Sequence, residues 1–478
     1  MSKKETYLGF DCGNSSIRTM LGTFDGSHIN LEAVHQVPNQ SLRGFQYDYW
    51  DILAIVEQMQ QGMKLALASE SSISSFGIST WGIDFGLLGP SGELLANPLC
   101  YRNPLGLGAL QAQSHENLQF MFDRTGIQNQ AMNSVYQLLG IREKLPEFYQ
   151  NAKTLLLIPD LLNYLLTGKK NGEISIASTT GLMDMRTRQY SNAVFAKTGI
   201  HKSLFPPMVG HGLVRGHLRG EIATRLDSKV IPSISVPSHD TASAIVSVPT
   251  LEKDFAYISS GTWSLIGTEL EQPIISSEVQ SHGFSNEGGS FGSITLLKNS
   301  CGMHILQKIK REIEFSDSKK HQWNELVVMA MPFLSGGLYK TFDPNDASLY
   351  NPTSMVAAVR ALVGSDDLGL ILASAYHSLA VSYAQAITDL EHITGKSYGA
   401  IHIIGGGARN WHLNQMTADI SKKKVLAGPV EATSLGIIAI QLMHSHPEMT
   451  ITDVRSIIKD SVGVVEYFPH KQEGKYRF

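Results

Sequence analysis

The sequence predicts an α/β protein of two domains built on one repeated pattern, and three observations lead there. A strand, a tight turn of small residues and a returning strand occupy residues 7–22, and the same construction recurs at residues 255–267. A third strand, at residues 400–404, runs through three consecutive glycines into a helix. The chain has 478 residues, more than one ordinary core accommodates, so two domains of roughly 200 to 250 residues are expected. The switch is expected near residues 246–252, giving domains 1–246 and 247–478, with the last helix able to pack back on the first domain.

In chain order, Tyr7-Leu8-Gly9-Phe10 reads as a buried strand, Asp11-Cys12-Gly13-Asn14-Ser15-Ser16 as a turn and Ile17-Arg18-Thr19-Met20-Leu21-Gly22 as the returning strand. A turn this small and rich in N–H and hydroxyl donors admits a phosphate closely, and Asp11 is placed to hold Mg²⁺ on it through water. Ser79-Thr80-Trp81-Gly82-Ile83-Asp84-Phe85 combines a stacking indole, Trp81, with backbone opened by Gly82 and a carboxylate at Asp84, surroundings that suit a sugar. Core packing for Trp81 and a turn role for Asp84 are the competing explanations. Helices are expected from Ser134 and from Ile158-Pro159-Asp160, where capping and packing explain the residues.

At the middle of the chain, residues 230–236 alternate as a strand does, and Thr241-Ala242-Ser243-Ala244 begins a small-residue helix. Asp240 therefore falls at a strand-to-helix turn, where a carboxylate is held on a rigid frame and still faces outward. Taken alone, the stretch reads more simply as a helix cap at Ser238 or Asp240 than as a catalyst. In the second half, Ser260-Gly261-Thr262 is the turn of the repeated hairpin. Asn299 is expected near the cap of a helix through Ile305, Leu306 and Ile309, with Gln307 two turns on. Residues 368–391 form a long helix without a breaker. Gly405-Gly406-Gly407 leaves backbone open to a flat ligand, and Asn410 stands where a dinucleotide fingerprint has its third glycine, so an adenosine site fits at least as well. Lys396-Ser397 mimics the end of a phosphate-binding loop, but Leu390 stands where its first glycine belongs.

Composition narrows the partners. A formal net charge of −4 gives no field for nucleic acid or anionic membranes, so an anionic ligand needs local donors or a metal. Charged residues make up 17% of the chain and hydrophobic ones 42%, which suits a glycine-turn-rich enzyme. Cys12, Cys100 and Cys301 lie far apart without metal-ligand spacing, pointing to free thiols in a reducing compartment. His201, His211, His217, His444 and His446 show no zinc pattern and are expected in solvated loops. Lys422-Lys423-Lys424 is expected to lie exposed. The sequence shows neither a signal-peptide core nor an apolar run near the roughly 20 residues of a membrane span, so a cytoplasmic protein is expected.

Asp11 and Gly13, then Trp81-Gly82-Ile83-Asp84-Phe85, His239-Asp240-Thr241-Ala242-Ser243-Ala244, Ser259-Ser260-Gly261-Thr262-Trp263-Ser264-Leu265 and Gly405-Gly406-Gly407, in this order, resemble the FGGY family of sugar kinases. Asn286-Glu287-Gly288-Gly289, Leu297-Lys298-Asn299, Leu413-Asn414-Gln415 and Gly428-Pro429-Val430-Glu431-Ala432 extend the resemblance over nearly the whole chain, toward members that phosphorylate L-rhamnulose. The resemblance implies two actin-like, ribonuclease-H-like domains with a catalytic cleft between them, sugar and Mg²⁺ served by the first and ATP by the second. It implies that Asp240 is the base and that Gly82, His239, Thr241 and Asn299 contact the ketose. Asn14, Ser15, Ser16, Ile17, Arg18, Thr262, Gln307 and Gly406 would line the ATP site, beside Gly261, Gly405, Gly407 and Asn410. ATP, Mg²⁺ and a ketose phosphorylated on its 1-hydroxyl are the implied ligands, in a monomer or homodimer.

The chain departs from the family pattern at Asn103, Asn14, Ala131-Met132 and Ile437, partly near the sugar side, which leaves L-fuculose or another ketose as an alternative. A different class, an actin-like ATP-binding switch or chaperone, would use the same hairpins but has no need of His239-Asp240-Thr241 together with Trp81-Gly82. A nicotinamide dehydrogenase is a distant third.

Overall fold

The computed structural model describes residues 4–70, 72–350 and 352–470. The chain forms two compact units, one of Met1–Leu251, Glu269–Leu296 and Ala432–Ser461, the other of Glu252–Thr268, Leu297–Glu431 and Val462–Phe478. They interleave along the sequence, with Ala432–Ser461 belonging to the first unit.

The first unit is built on a six-stranded sheet in the order Val214–His217, Pro232–Ile234, Phe76–Thr80, Glu5–Cys12, Ser16–Phe24, Ile29–Pro38. Glu5–Cys12 pairs antiparallel with Ser16–Phe24 and parallel with Phe76–Thr80, bringing Asp11 opposite Ser79 and Cys12 opposite Thr80. Seven of its eight residues are buried, so the strand reads as a nearly continuous apolar run. On one face lies the helix Ile52–Ser69, whose buried Ile52, Ile55, Val56, Met59 and Met63 recur at helical spacing. It approaches closely enough that a Cβ on Gly62 would sit 2.0 Å from Thr19 Oγ1. On the other face the helix Ala432–Ser445 sets Ile437 against Gly9 and Gly77 and Ile438 against Gly22. That packing is why a segment so late in the sequence belongs to this unit.

In the second unit, Ala256–Ser260 pairs antiparallel with Trp263–Leu270 and parallel with Ala400–Ile404, which in turn runs parallel to Lys424–Ala427. A hairpin whose first strand takes a parallel third strand is therefore the plan of both units, as the two sequence hairpins predict. The helix Leu368–Thr394 has Asp367 accepting from the N–H groups of Gly369 and Leu370 at its start. Among the described residues it alone is long and apolar enough to cross a membrane, yet 72% of its apolar window is buried inside the protein, as befits a core helix.

Asn299 is not at a helix cap: it lies on the strand Ile294–Cys301, and the following helix, His304–Asp317, has Met303 at its N-cap position. The N–H groups of Met303 and His304 donate to Gly261 and Thr262 carbonyls at 3.2 and 3.1 Å, so hairpin carbonyls rather than a side-chain cap take those donors. The triple lysine is only partly exposed, because Lys423 reaches Glu391 at 2.8 Å.

Candidate active site

Asp240 is the first residue of the helix Asp240–Val246, and His239 is its N-cap residue without a side-chain cap bond. The loop before it is tied to the sheet: Thr80 N–H donates to Ser238 O at 2.8 Å, and Thr80 bridges His239 in parallel fashion. Asp11, the Trp81 turn and Asp240 thus all stand at the carboxyl ends of neighbouring parallel strands, where ligands bind in open α/β sheets. Oδ1 of Asp240 accepts from Thr241 N–H at 2.7 Å and Thr241 Oγ1 at 3.3 Å, and His239 Nε2 lies 3.4 Å away. Among the described residues no hydrogen bond reaches Oδ2, and the side chain is 38% exposed. At the helix's far end, Arg455 donates to the Ile245 and Val246 carbonyls and pairs with Glu269 at 2.7 Å.

Sequence reasoning assigned no role to the residues beneath this loop. Glu173 is fully buried and accepts from Ser238 N–H at 2.9 Å, Ser238 Oγ, Ser175 N–H, Ser175 Oγ, Ile176 N–H and His211 Nε2. Burial pushes its carboxyl up, but His211 and the donors more than offset that and bring it down to about 2. His211 is therefore no solvated-loop residue: its Nε2 serves Glu173, and its Nδ1 accepts from Phe291 N–H at 2.9 Å. Glu287, 8% exposed on the buried strand Phe284–Gly288, places Oε2 3.1 Å from His239 Nδ1, at an angle short of a hydrogen bond. Burial would lower the His239 imidazole, but Glu287 foremost, then Asp240 and Glu173, raise it to about 9. The signal in the sequence was a carboxylate, Glu173, directly before an Ile-Ser-Ile-Ala-Ser helix start; Glu287, in Phe-Ser-Asn-Glu-Gly, has no apolar pattern around it to mark it as buried.

The Trp81 turn differs from expectation. Trp81 is 3% exposed and packs on Trp50 at 4.4 Å between ring centroids, so it offers no stacking face. Asp84 is fully buried and receives Trp50 Nε1 at 2.6 Å, Trp81 Nε1 at 3.0 Å and Gln137 Nε2 at 3.3 Å, which occupies it as an internal tie rather than a sugar ligand. Burial outweighs those three donors and lifts its carboxyl to about 7. Between them Ile83 adopts φ 70°, a left-handed conformation costly for a β-branched residue, roughly 1–3 kcal/mol. Thr179 Oγ1 and Ser134 Oγ hold it there through its N–H and carbonyl, which keeps the Gly82 backbone presented.

In the first hairpin, Gly13 N–H donates to Ser16 O at 2.8 Å, and Asn39 clamps the Gly13 and Ser15 carbonyls. Among the described residues the buried Oδ1 of Asn14 has no hydrogen-bond partner, an amide end available to a ligand. Ile17 is 3% exposed in the core, so only its backbone can serve one. Asp11 is ion-paired with Arg18 and accepts from Ser434 Oγ at 3.2 Å. Burial raises its carboxyl, Arg18 opposes that, and the charge of Asp240 raises it further. Among the described residues no three acid, His or Cys side chains form a cage, so Mg²⁺ fits here only with water and phosphate completing its shell.

In the second unit a Cβ on Gly406 would meet nothing within 4 Å, whereas one on Gly407 would strike Ser260 Oγ at 1.9 Å, and Gly405 adopts φ 83°. The chain thus bends tightly beside the second hairpin and leaves Gly406 bare, room for a flat ligand. Asn410 is taken up as the N-cap of Trp411–Ser421, accepting from Leu413 N–H at 3.2 Å, so its side chain does not extend to a ligand. Gln307 lies half-buried in the first turn of His304–Asp317. Of the departures, Asn103 clamps the Asp48 backbone through both amide atoms at 2.8 Å, and Ile437 is fully buried against glycines. Both are explained by packing alone.

Residues 6–247 match the N-terminal domain of the FGGY family of carbohydrate kinases and residues 256–445 its C-terminal domain. A protein of Bacteroides thetaiotaomicron named rhamnulokinase is 36% identical over 476 residues, covering 98% of this chain and 96% of that one. Crystal structures of a gluconate kinase from Lactobacillus acidophilus (TM-score 0.80, 17% identity, 98% of this chain and 94% of that one) and of Plasmodium falciparum glycerol kinase with ADP (TM-score 0.76, 16% identity, 97% and 94%) share the fold. The two-domain, actin-like architecture, the order of the motifs and both domain matches agree, and the chain belongs to the FGGY family of carbohydrate kinases.

Proposed function

We propose that this carbohydrate kinase transfers the γ-phosphate of ATP to the 1-hydroxyl of L-rhamnulose, giving L-rhamnulose 1-phosphate and ADP, in the cytoplasm and as a monomer or homodimer. The observation that carries the reading is the Asp240 carboxylate. It stands at a helix start with one oxygen fixed by Thr241 and the other free. A sugar hydroxyl is a poor nucleophile, and Asp240 accepts its proton as the phosphoryl group is transferred. Gly82, His239, Thr241 and Asn299 contact the ketose. The backbone of the two hairpins and the bare Gly406 hold the nucleotide. Mg²⁺, when bound through water at Asp11, neutralises charge on the phosphates. The 36% identical relative named rhamnulokinase supports the choice of sugar.

The test is ADP release measured with L-rhamnulose, L-fuculose, D-xylulose and glycerol as acceptors. L-Rhamnulose is expected to give the highest kcat/KM. Preference for another ketose would overturn the choice of sugar alone. ATP hydrolysis indifferent to every acceptor would favour the ATP-driven switch.

A further inference from the structure

Glu287 is buried, and among the described residues its Oε2 has no hydrogen-bond partner; the charge facing it is the His239 ring, 3.1 Å away. A carboxylate removed from water in this way requires a compensating cation. The groups facing His239 are Glu287 at Nδ1, Asp240 at Nε2 and, more distantly, Glu173, all acidic, while its backbone N–H donates to Ser175 Oγ at 3.1 Å. With acids on both sides, each ring nitrogen is best served carrying a hydrogen. A ring charged in this way cannot take the substrate's proton. It can only orient the carboxylate that does.

We propose that Glu287 is a positioning residue for proton transfer: its carboxylate charges the His239 ring, whose Nε2 faces Oδ1 of Asp240 at 3.4 Å, and this leaves Oδ2 to receive the proton of the sugar hydroxyl. Thr241 N–H and Thr241 Oγ1 donate to Oδ1, the His239 ring stands beside it at Nε2, and among the described residues no donor reaches Oδ2. The O–H bond of the sugar breaks and the proton goes to Oδ2, while the oxygen's electron pair forms the bond to the γ-phosphorus as the bond from that phosphorus to the β,γ-bridging oxygen breaks and its electron pair leaves with ADP. His239 keeps its proton throughout. The inference rests on the ketose-kinase reading for its turnover arm only.

The experiment compares wild type, Glu287→Gln and Glu287→Asp by two readouts. The first is the imidazole ¹⁵N titration of His239 in the unliganded protein, assigned with His239→Gln. The second is the pH profile of kcat/KM with the preferred ketose. Because Glu287 favours the charged ring, its neutralisation shifts the His239 titration and the basic limb of the profile to lower pH, by at least one pH unit, and Glu287→Asp restores both in part. A Glu287→Gln protein that leaves the His239 titration and the basic limb where they are in wild type overturns the proposal, whatever its overall rate. If no acceptor is turned over but the titration shifts, the kinase reading fails and the charging of His239 by Glu287 stands.

Discussion

Two buried carboxylates of the first unit respond to pH with opposite signs. Glu173 is held down to about 2 from a reference value of 4.5, so it contributes stability above about pH 4.5 that is lost as pH falls toward 2. The shift corresponds to about 3 kcal/mol. In urea unfolding, Glu173→Gln is therefore expected to lose about that much at pH 7, with the difference from wild type shrinking steadily below pH 4.5. A difference independent of pH would show that Glu173 acts by packing alone. Asp84 is raised to about 7 and favours the folded state when neutral, so its contribution is complete below about pH 3.8 and disappears as pH rises through 7. Asp84→Asn is expected to flatten the fall in stability between those values. Neither role was legible in the sequence. Asp84 read as a sugar ligand because a Trp-Gly-x-Asp run states residue types, and only the fold shows two indoles and Gln137 turned inward upon the carboxylate.

At the level of elements the sequence was far more informative. Both hairpins, the glycine-rich turn after Ala400–Ile404 and the helix opening at Asp240 were legible because strand alternation, small-residue turns and helix starts are local signals. Asn299 was misplaced for the same reason: Asn followed by small residues reads as a cap, while the pairing that makes it part of a strand is non-local. Glu287 stood out by nothing in its own polar surroundings, Phe-Ser-Asn-Glu-Gly, since its partner lies 48 residues earlier. The glycines separate close packing from ligand access. A Cβ on Gly436 would fall 1.8 Å from the Ser243 carbonyl, in the helix that carries Asp240. Gly436→Ala is thus expected to lower Tm by several degrees and kcat with it, because the Ala432–Ser445 and Asp240–Val246 helices must part. Gly406→Ala meets no atom and is expected to leave Tm unchanged while raising KM for ATP several-fold. Equal losses of Tm in the two variants would remove the distinction.

Over the whole molecule, a net charge of −4 supplies no general attraction for a polyphosphate, so nucleotide and sugar must be held by local donors. Two domain matches and a shared fold make the chain a carbohydrate kinase, while the choice of sugar turns on a few side chains set into that common frame. The proposed reaction requires that Asp240 take the proton of the acceptor hydroxyl. The most direct measurement is kcat for Asp240→Asn with the preferred ketose, together with calorimetric binding of that ketose and of ATP. A base of this kind contributes on the order of 10² to 10⁴ in rate, so kcat is expected to fall by that factor while both ligands still bind. An Asp240→Asn protein that binds both and turns over within a few-fold of wild type would contradict the claim.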